Sequence, residues 1–328
     1  MKHRLLTSAV LITISLFLFT LDYTVIADGA EGAWLLPLLM FFAIGTAWEM
    51  ATMMMGAGHQ IQPRVAVLGA GTIAASPAVP YMWAFSASPY PPDCPIGRLG
   101  WIVLFASLVV FVILLVEMRE YGKDSDVELG LSIRRTCAAV FVSMYVGLPM
   151  AMLVALRSMH SATTEGRFGF FALITMIAVT KVADSGAYFS GRAFGRHKLI
   201  PRLSPGKTIE GAIGGIASST LVAYLCLLFL FRAESLGNDV QTASETTAGS
   251  GGLNGLLATP LAGAVLLGPT LAICGMVGDL AESLFKRESA VKDSGKLLPG
   301  LGGVWDVTDS LLAASVPAYF CFALGVGG

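Results

Sequence analysis

Apolar residues in this chain come in long runs separated by short polar stretches. Nine runs stand out, at 5–21, 33–55, 65–87, 99–118, 136–156, 168–189, 211–232, 256–278 and 304–324. Each is close to the ~20 predominantly apolar residues that a helix needs to cross a bilayer. Glu49 and several prolines make the second and third runs the least clean. The first run follows Lys2, His3 and Arg4, as a signal peptide would, but no small-residue cleavage site follows it, so it is read as a retained helix. The pattern predicts an all-α, polytopic bundle of nine transmembrane helices. It is divided by content into N-terminal helices (1–135) and a C-terminal region (136–328) that carries the polar motifs described below.

The polar stretches test that count. With the N-terminus inside, the inner side holds sixteen cations: Lys2, Arg4, Arg64, Arg119, Lys123, Arg134, Arg135, Arg192, Arg196, Lys198, Arg202, Lys207, Lys286, Arg287, Lys292 and Lys296. The outer side holds four: Arg98, Arg157, Arg167 and Arg232. Lys181 falls within a run. This asymmetry fits an N-terminus in the cytoplasm, since cytoplasmic loops carry the excess of Lys and Arg; a bacterial-type inner membrane is expected, with the polar motifs on its cytoplasmic side. Residues 233–255 have no lysine or arginine and read as a flexible external loop. Residues 88–98 form a proline-rich external turn.

Composition agrees: 55% of residues are hydrophobic, 13% are charged and the mean hydropathy is +0.73. Soluble domains carry about 25% charged residues. The net charge of −1 identifies no partner, because the charges are clustered, and no nucleic-acid partner is expected. The five cysteines form no C-x-x-C pair, and four sit inside apolar runs as small apolar residues. That excludes a disulfide framework and a thiolate metal site. Small-residue helix faces are compatible with a homodimer and equally with packing within one chain.

Charge is dense in two segments, both at inner helix ends. The second, from Gly278 to Ser310, has Asp279 and Glu282 three apart on one helix face, with Lys286 four beyond. Asp306 and Asp309 repeat that spacing. Carboxylates within a span are costly and usually face a polar cavity with a function. Several at one depth would repel unless a cation lay between them. Magnesium takes oxygen ligands and shares them with phosphates. Between the pairs runs KDSGKLLPGLGG, whose glycines admit a ligand and whose lysines can meet phosphate. The first segment, Lys181 to Gly211, carries Asp184, a basic stretch and SPGKT. A phosphate-binding P-loop would need a glycine at position 201, which is proline. What remains is a turn with Lys207 and hydroxyls, leading into a glycine-rich helix, suited to a phosphate or nucleotide. Glu49 reads evenly as structural or as lining a lipid cavity. The histidines make no ligand spacing.

Both segments resemble the phosphatidate cytidylyltransferase family, also called CDP-diacylglycerol synthases. Ser283, Lys286, Arg287, Lys292, Asp293, Pro299, Gly300, Gly302, Gly303, Asp306 and Asp309 fall in register with its C-terminal signature. Ala183 to Tyr188 and Ser204 to Thr208 match its upstream pattern. The resemblance covers roughly 180–310. Two positions depart: the family's histidine is Leu301 and an arginine is Val307. The resemblance implies CTP and phosphatidic acid as substrates, membrane lipid as surroundings, and magnesium, with room for a second cation. It implies Asp279, Asp306 and Asp309 around the metal, with Lys286 and Lys292 also catalytic. Asp184, Ser204, Lys207, Thr208, Ser283, Arg287, Asp293, Gly302 and Gly303 would bind substrate. Two readings stay beside it: a family member that is inactive or uses another lipid phosphate, and a secondary transporter.

Overall fold

The structure is a computed structural model that describes residues 2–25, 29–86, 90–91, 93–123, 129–159, 167–231, 253–300 and 302–328. Most of the expected external loop at 233–255, and Leu301, lie outside the described residues. The fold is all-α. The helices are α1 (Lys2–Thr24), α2 (Leu36–Gly56), α3 (Pro63–Ala75), α4 (Tyr81–Phe85), α5 (Gly97–Glu120), α6 (Leu131–Arg157), α7 (Arg167–Phe194), α8 (Ile209–Cys226), α9 (Leu253–Leu257), α10 (Pro260–Glu288) and α11 (Trp305–Ala323). A short antiparallel hairpin, β1 (Lys198–Ile200) and β2 (Ser204–Thr208), lies between α7 and α8.

Among the described residues, seven helices are long and apolar enough to cross a membrane: α1, α2, α5, α6, α7, α8 with the π turn that extends it to Phe231, and α10. The chain is a polytopic membrane protein. The third and ninth apolar runs are not among the seven. The third is broken into α3, a 3-10 turn at Ser76–Ala78 and α4. Pro77 and Pro80 lack the N–H that would carry a helical ladder through. The ninth is the 19-residue α11, whose first turns hold Asp306 and Asp309.

The chain forms two compact units: residues 1–166 with 284–308, and residues 167–283 with 309–328. Helices α10 and α11 each begin in one unit and end in the other. These units are defined by helix contacts and are a different division from the motif-based regions 1–135 and 136–328.

In the first unit, α3 packs along α6. A Cβ on Gly147 would lie 3.0 Å from the Ala70 carbonyl, so the contact needs a glycine. Ser143 Oγ donates to Ala66 O at 3.0 Å across the same seam. Such close approach supplies the van der Waals contact that holds helices together where lipid removes the hydrophobic drive. Arg157, counted above as an external loop charge, is buried in the last turn of α6 and pairs with Asp22 Oδ2 at 2.5 Å. A cation there also meets the negative end of the helix dipole. On α5, Val103, Phe111 and Leu115 are more than half exposed, a surface suited to lipid.

In the second unit, α7 and α8 lie side by side on small residues. A Cβ on Gly211 would come within 2.8 Å of Ala187 O, and one on Gly215 within 2.9 Å of Ala183 O. The glycine-rich face of α8 is therefore used within the chain.

Candidate active site

Helices α7 and α10 both run on past their apolar stretches, so Asp184, Asp279 and Glu282 stand on regular helix. On α7, Asp184 Oδ2 accepts from Ser310 Oγ at 3.1 Å, and Lys181 Nζ donates to the same hydroxyl at 2.9 Å. Lys181 Nζ lies 3.8 Å from Asp184 Oδ2. Gly191 and Gly195 then allow α7 to end against Thr208.

SPGKT forms strand β2, paired antiparallel with β1 through Lys198 to Thr208 and Ile200 to Ser204, with a register shift between the two pairs. Thr208 caps α8: its Oγ1 accepts from Gly211 N at 3.1 Å. Glu210, in the first turn of α8, accepts the N–H groups of Arg196 and His197 at 3.1 and 3.2 Å. Its other oxygen pairs with His197 Nδ1 at 2.6 Å. The hairpin is thus tied at both ends to the start of α8. This fixes Lys207, whose Nζ reaches Asp279 Oδ2 at 2.7 Å. A cleft of about 380 Å³ opens beneath the hairpin, with Asp184, Tyr188, Ser204, Lys207, Thr208 and Asp279 among its lining.

Asp279 and Glu282 on α10 meet Asp309 on α11. One oxygen from each lies within 4.8 Å of the others, and Glu282 and Asp309 are buried. The helices come this close because residue 278 is glycine: a Cβ there would sit 2.3 Å from Asp309 O. Three carboxylates at this range repel one another unless a cation joins them. A hard divalent cation binds oxygen at roughly 2.0–2.6 Å, so ligand oxygens on either side of it stand about 4–5 Å apart. The donor set and spacing fit such an ion.

The first unit carries the rest of the second motif. Asp306 stands in the first turn of α11 and is paired with Lys286 Nζ through Oδ1. Its Oδ2 accepts from Gly303 N at 2.6 Å, Ser294 Oγ at 2.9 Å and Ser294 N at 3.1 Å. Leu298 and Gly302 exchange backbone hydrogen bonds at 3.2 Å, closing a tight loop with φ +85° at Gly300 and +97° at Gly302. Only glycine adopts such angles without strain. Beneath the loop, the Trp305 ring lies 5.6 Å from Phe285 and 6.0 Å from Tyr145.

The sequence model of the cytidylyltransferase family matches residues 2–324. The chain belongs to that family. Proteins named phosphatidate cytidylyltransferase are similar to it: one from Haemophilus influenzae is 42% identical over 53% of this chain, and one from Brucella suis 39% over 55%. The chain spans 53% and 55% of the length of these two relatives, about half. One from Bacillus subtilis is 32% identical over 68% of both chains.

Asp184, Ser204, Lys207, Thr208, Asp279 and Asp309 all fall within the second unit, while Asp306, expected beside Asp279 and Asp309 at the metal, falls within the first. In the second unit Asp279 and Asp309 are joined by Glu282, which the sequence marked only by its place three residues after Asp279. Ser283 is half-buried on α10. In the first unit Lys286 on α10 and the Gly303 N–H of the glycine loop both meet Asp306 at the start of α11. Arg287, Lys292 and Asp293 are exposed where α10 gives way to that loop. Val307 is half-buried in the first turn of α11. Ser294, Ser310 and Lys181 were not singled out, and their only sequence signal is a position beside or between motif residues. Glu49 gave no signal beyond a carboxylate inside an apolar run; it is buried in the first unit.

Proposed function

We propose that this cytidylyltransferase makes CDP-diacylglycerol. A phosphate oxygen of phosphatidic acid attacks the α-phosphorus of CTP, the bond from that phosphorus to the bridging oxygen breaks, and pyrophosphate leaves. The observation that carries the reading is the Asp279, Glu282 and Asp309 cluster beside a cleft whose lining includes the cations Lys207 and Arg192. The name borne by its relatives supports the same reaction.

The attacking phosphate is already an anion, so no strong base is needed. The obstacle is bringing two anions together. Asp279, Glu282 and Asp309 would hold magnesium, which when bound neutralises and orients phosphates and stabilises the leaving group. Lys207 brings a positive charge to the cleft on a tethered strand. Thr208 Oγ1 accepts from Gly211 N, which leaves its own proton for a phosphate oxygen, and the Ser204 hydroxyl lies in the same cleft. Asp184, oriented by Ser310, shapes the nucleotide end. Charge-assisted hydrogen bonds of this kind are about twice as strong as neutral ones. By the signature, Lys286 and Asp306 are also required for turnover, and Arg287, Lys292 and Asp293 assist binding.

The lysines and arginines gathered at 192–207 and 286–296, beside the acidic cluster, support an inner-membrane enzyme that works at the cytoplasmic face. CTP then arrives from the cytoplasm and the lipid sideways from the membrane.

The test is conversion of phosphatidic acid to CDP-diacylglycerol by purified protein in detergent, with and without CTP and magnesium. Product that needs both is expected. A folded, monodisperse sample that makes none overturns the assignment.

A further inference from the structure

Glu49 lies in α2, within an apolar run and 2% exposed. A buried carboxylate in a membrane helix is expensive and is kept for a purpose. Its partner is a loop 245 residues away in sequence: Ser294 Oγ donates to Glu49 Oε2 at 3.1 Å. The N–H of Trp305, the first residue of α11, donates to the same oxygen at 3.0 Å.

Two further facts make this more than an anchor. The Ser294 hydroxyl has one proton and two carboxylates within reach, Glu49 Oε2 at 3.1 Å and Asp306 Oδ2 at 2.9 Å. It also accepts from Asp306 N at 3.3 Å. The orientation of Asp306 is therefore coupled to Glu49 through a single shared hydrogen. The loop is also cut to fit the glutamate. A Cβ on Gly295 would lie 2.1 Å from Glu49 Oε1, and one on Gly303 would lie 2.3 Å from Oε2. Gly303 is also the residue whose N–H holds Asp306.

We infer that Glu49 is a positioning residue for the reaction: it grips the 294–305 loop from below and sets the Asp306 carboxylate through Ser294 and Trp305. This rests on the reading that Asp306 is required for turnover. Partners that orient reactive carboxylates typically cost about 10–100-fold in activity when removed.

The test uses full-length protein in detergent, assayed for CDP-diacylglycerol, with backbone hydrogen exchange followed by mass spectrometry. A folded wild-type protein without activity defeats the reading of function rather than this one. With an active wild type, Glu49→Ala lowers kcat by about 10–100-fold with KM for CTP unchanged. Exchange in 294–305 accelerates while α3 and α6 keep their protection. Glu49→Gln, which retains an oxygen to accept from Ser294 and Trp305, recovers most of the kcat and the protection. The inference is overturned if Glu49→Ala keeps wild-type kcat, loses kcat with no change of exchange in the loop, or is matched in its loss by Glu49→Gln. Should Glu49→Ala fail to fold, Ser294→Ala and Glu49→Gln decide: the first must lower kcat and the second must not.

Discussion

The two acidic centres of this protein are built on opposite plans. In the second unit, Asp279, Glu282 and Asp309 bring oxygens within 4.8 Å of one another, and Asp279 is paired with Lys207 on the hairpin. In the first unit, Asp306 is surrounded by donors: a lysine, two backbone N–H groups and a hydroxyl. Carboxylates that face one another store repulsion that a cation releases. A carboxylate wrapped in donors is satisfied as it stands and resists being moved. The first arrangement suits binding a metal ion, the second suits holding a geometry.

The comparison can be broken most directly at Asp309. Asp309→Asn should lower kcat by about 10²–10³-fold, the range seen when one preorganised electrostatic contact is lost. It should also raise the magnesium concentration needed for half-maximal rate. Wild-type magnesium dependence in that variant would remove Asp309 from the metal site. Asp306→Asn comes next. The amide oxygen can still accept from Gly303 and Ser294, so the loop should stay folded, while the ion pair with Lys286 is lost. A drop of about 10²-fold without a changed magnesium requirement is expected. A magnesium requirement raised as far as in Asp309→Asn would show that the two centres do not differ in kind. The smallest effect belongs to Lys207→Ala. Loss of one charged hydrogen-bond donor should raise KM for CTP by about tenfold. An unchanged KM would mean that the lysine serves only Asp279.

Much of this was legible in the sequence, and what was not has physical causes. Asp184 and Lys207 could be placed together by one motif, and Asp279, Asp306 and Asp309 by the other, because each motif holds its residues at fixed spacing. The strand at Ser204–Thr208 was read as a turn, since proline and glycine are poor strand formers and only pairing with Lys198–Ile200 makes it one. The helical course of Asp279 and Glu282 was read from their spacing alone, because the apolar run ends at 278 while α10 continues to Glu288. Pro77 and Pro80 lay in plain view, yet hydropathy averages over them and gave one span where the chain makes three short pieces. Arg157 was assigned to an external loop because a lone arginine at a run's end cannot announce its partner, Asp22, 135 residues earlier. Glu49 and Ser294 were ambiguous for the same reason: their pairing exists only after folding.

Gly278 has no side chain, and yet the acidic cluster depends on it. The space that a methyl group would fill is taken by the backbone of Asp309, with 2.3 Å between the would-be Cβ and a carbonyl oxygen. Backbone cannot rotate out of the way as a flexible side chain can, so alanine there would wedge α10 from α11 and part Asp279 from Asp309. A substitution scan of this chain would therefore find a position with no functional group as intolerant as the acids beside it. At that position the reagent the protein contributes is proximity itself.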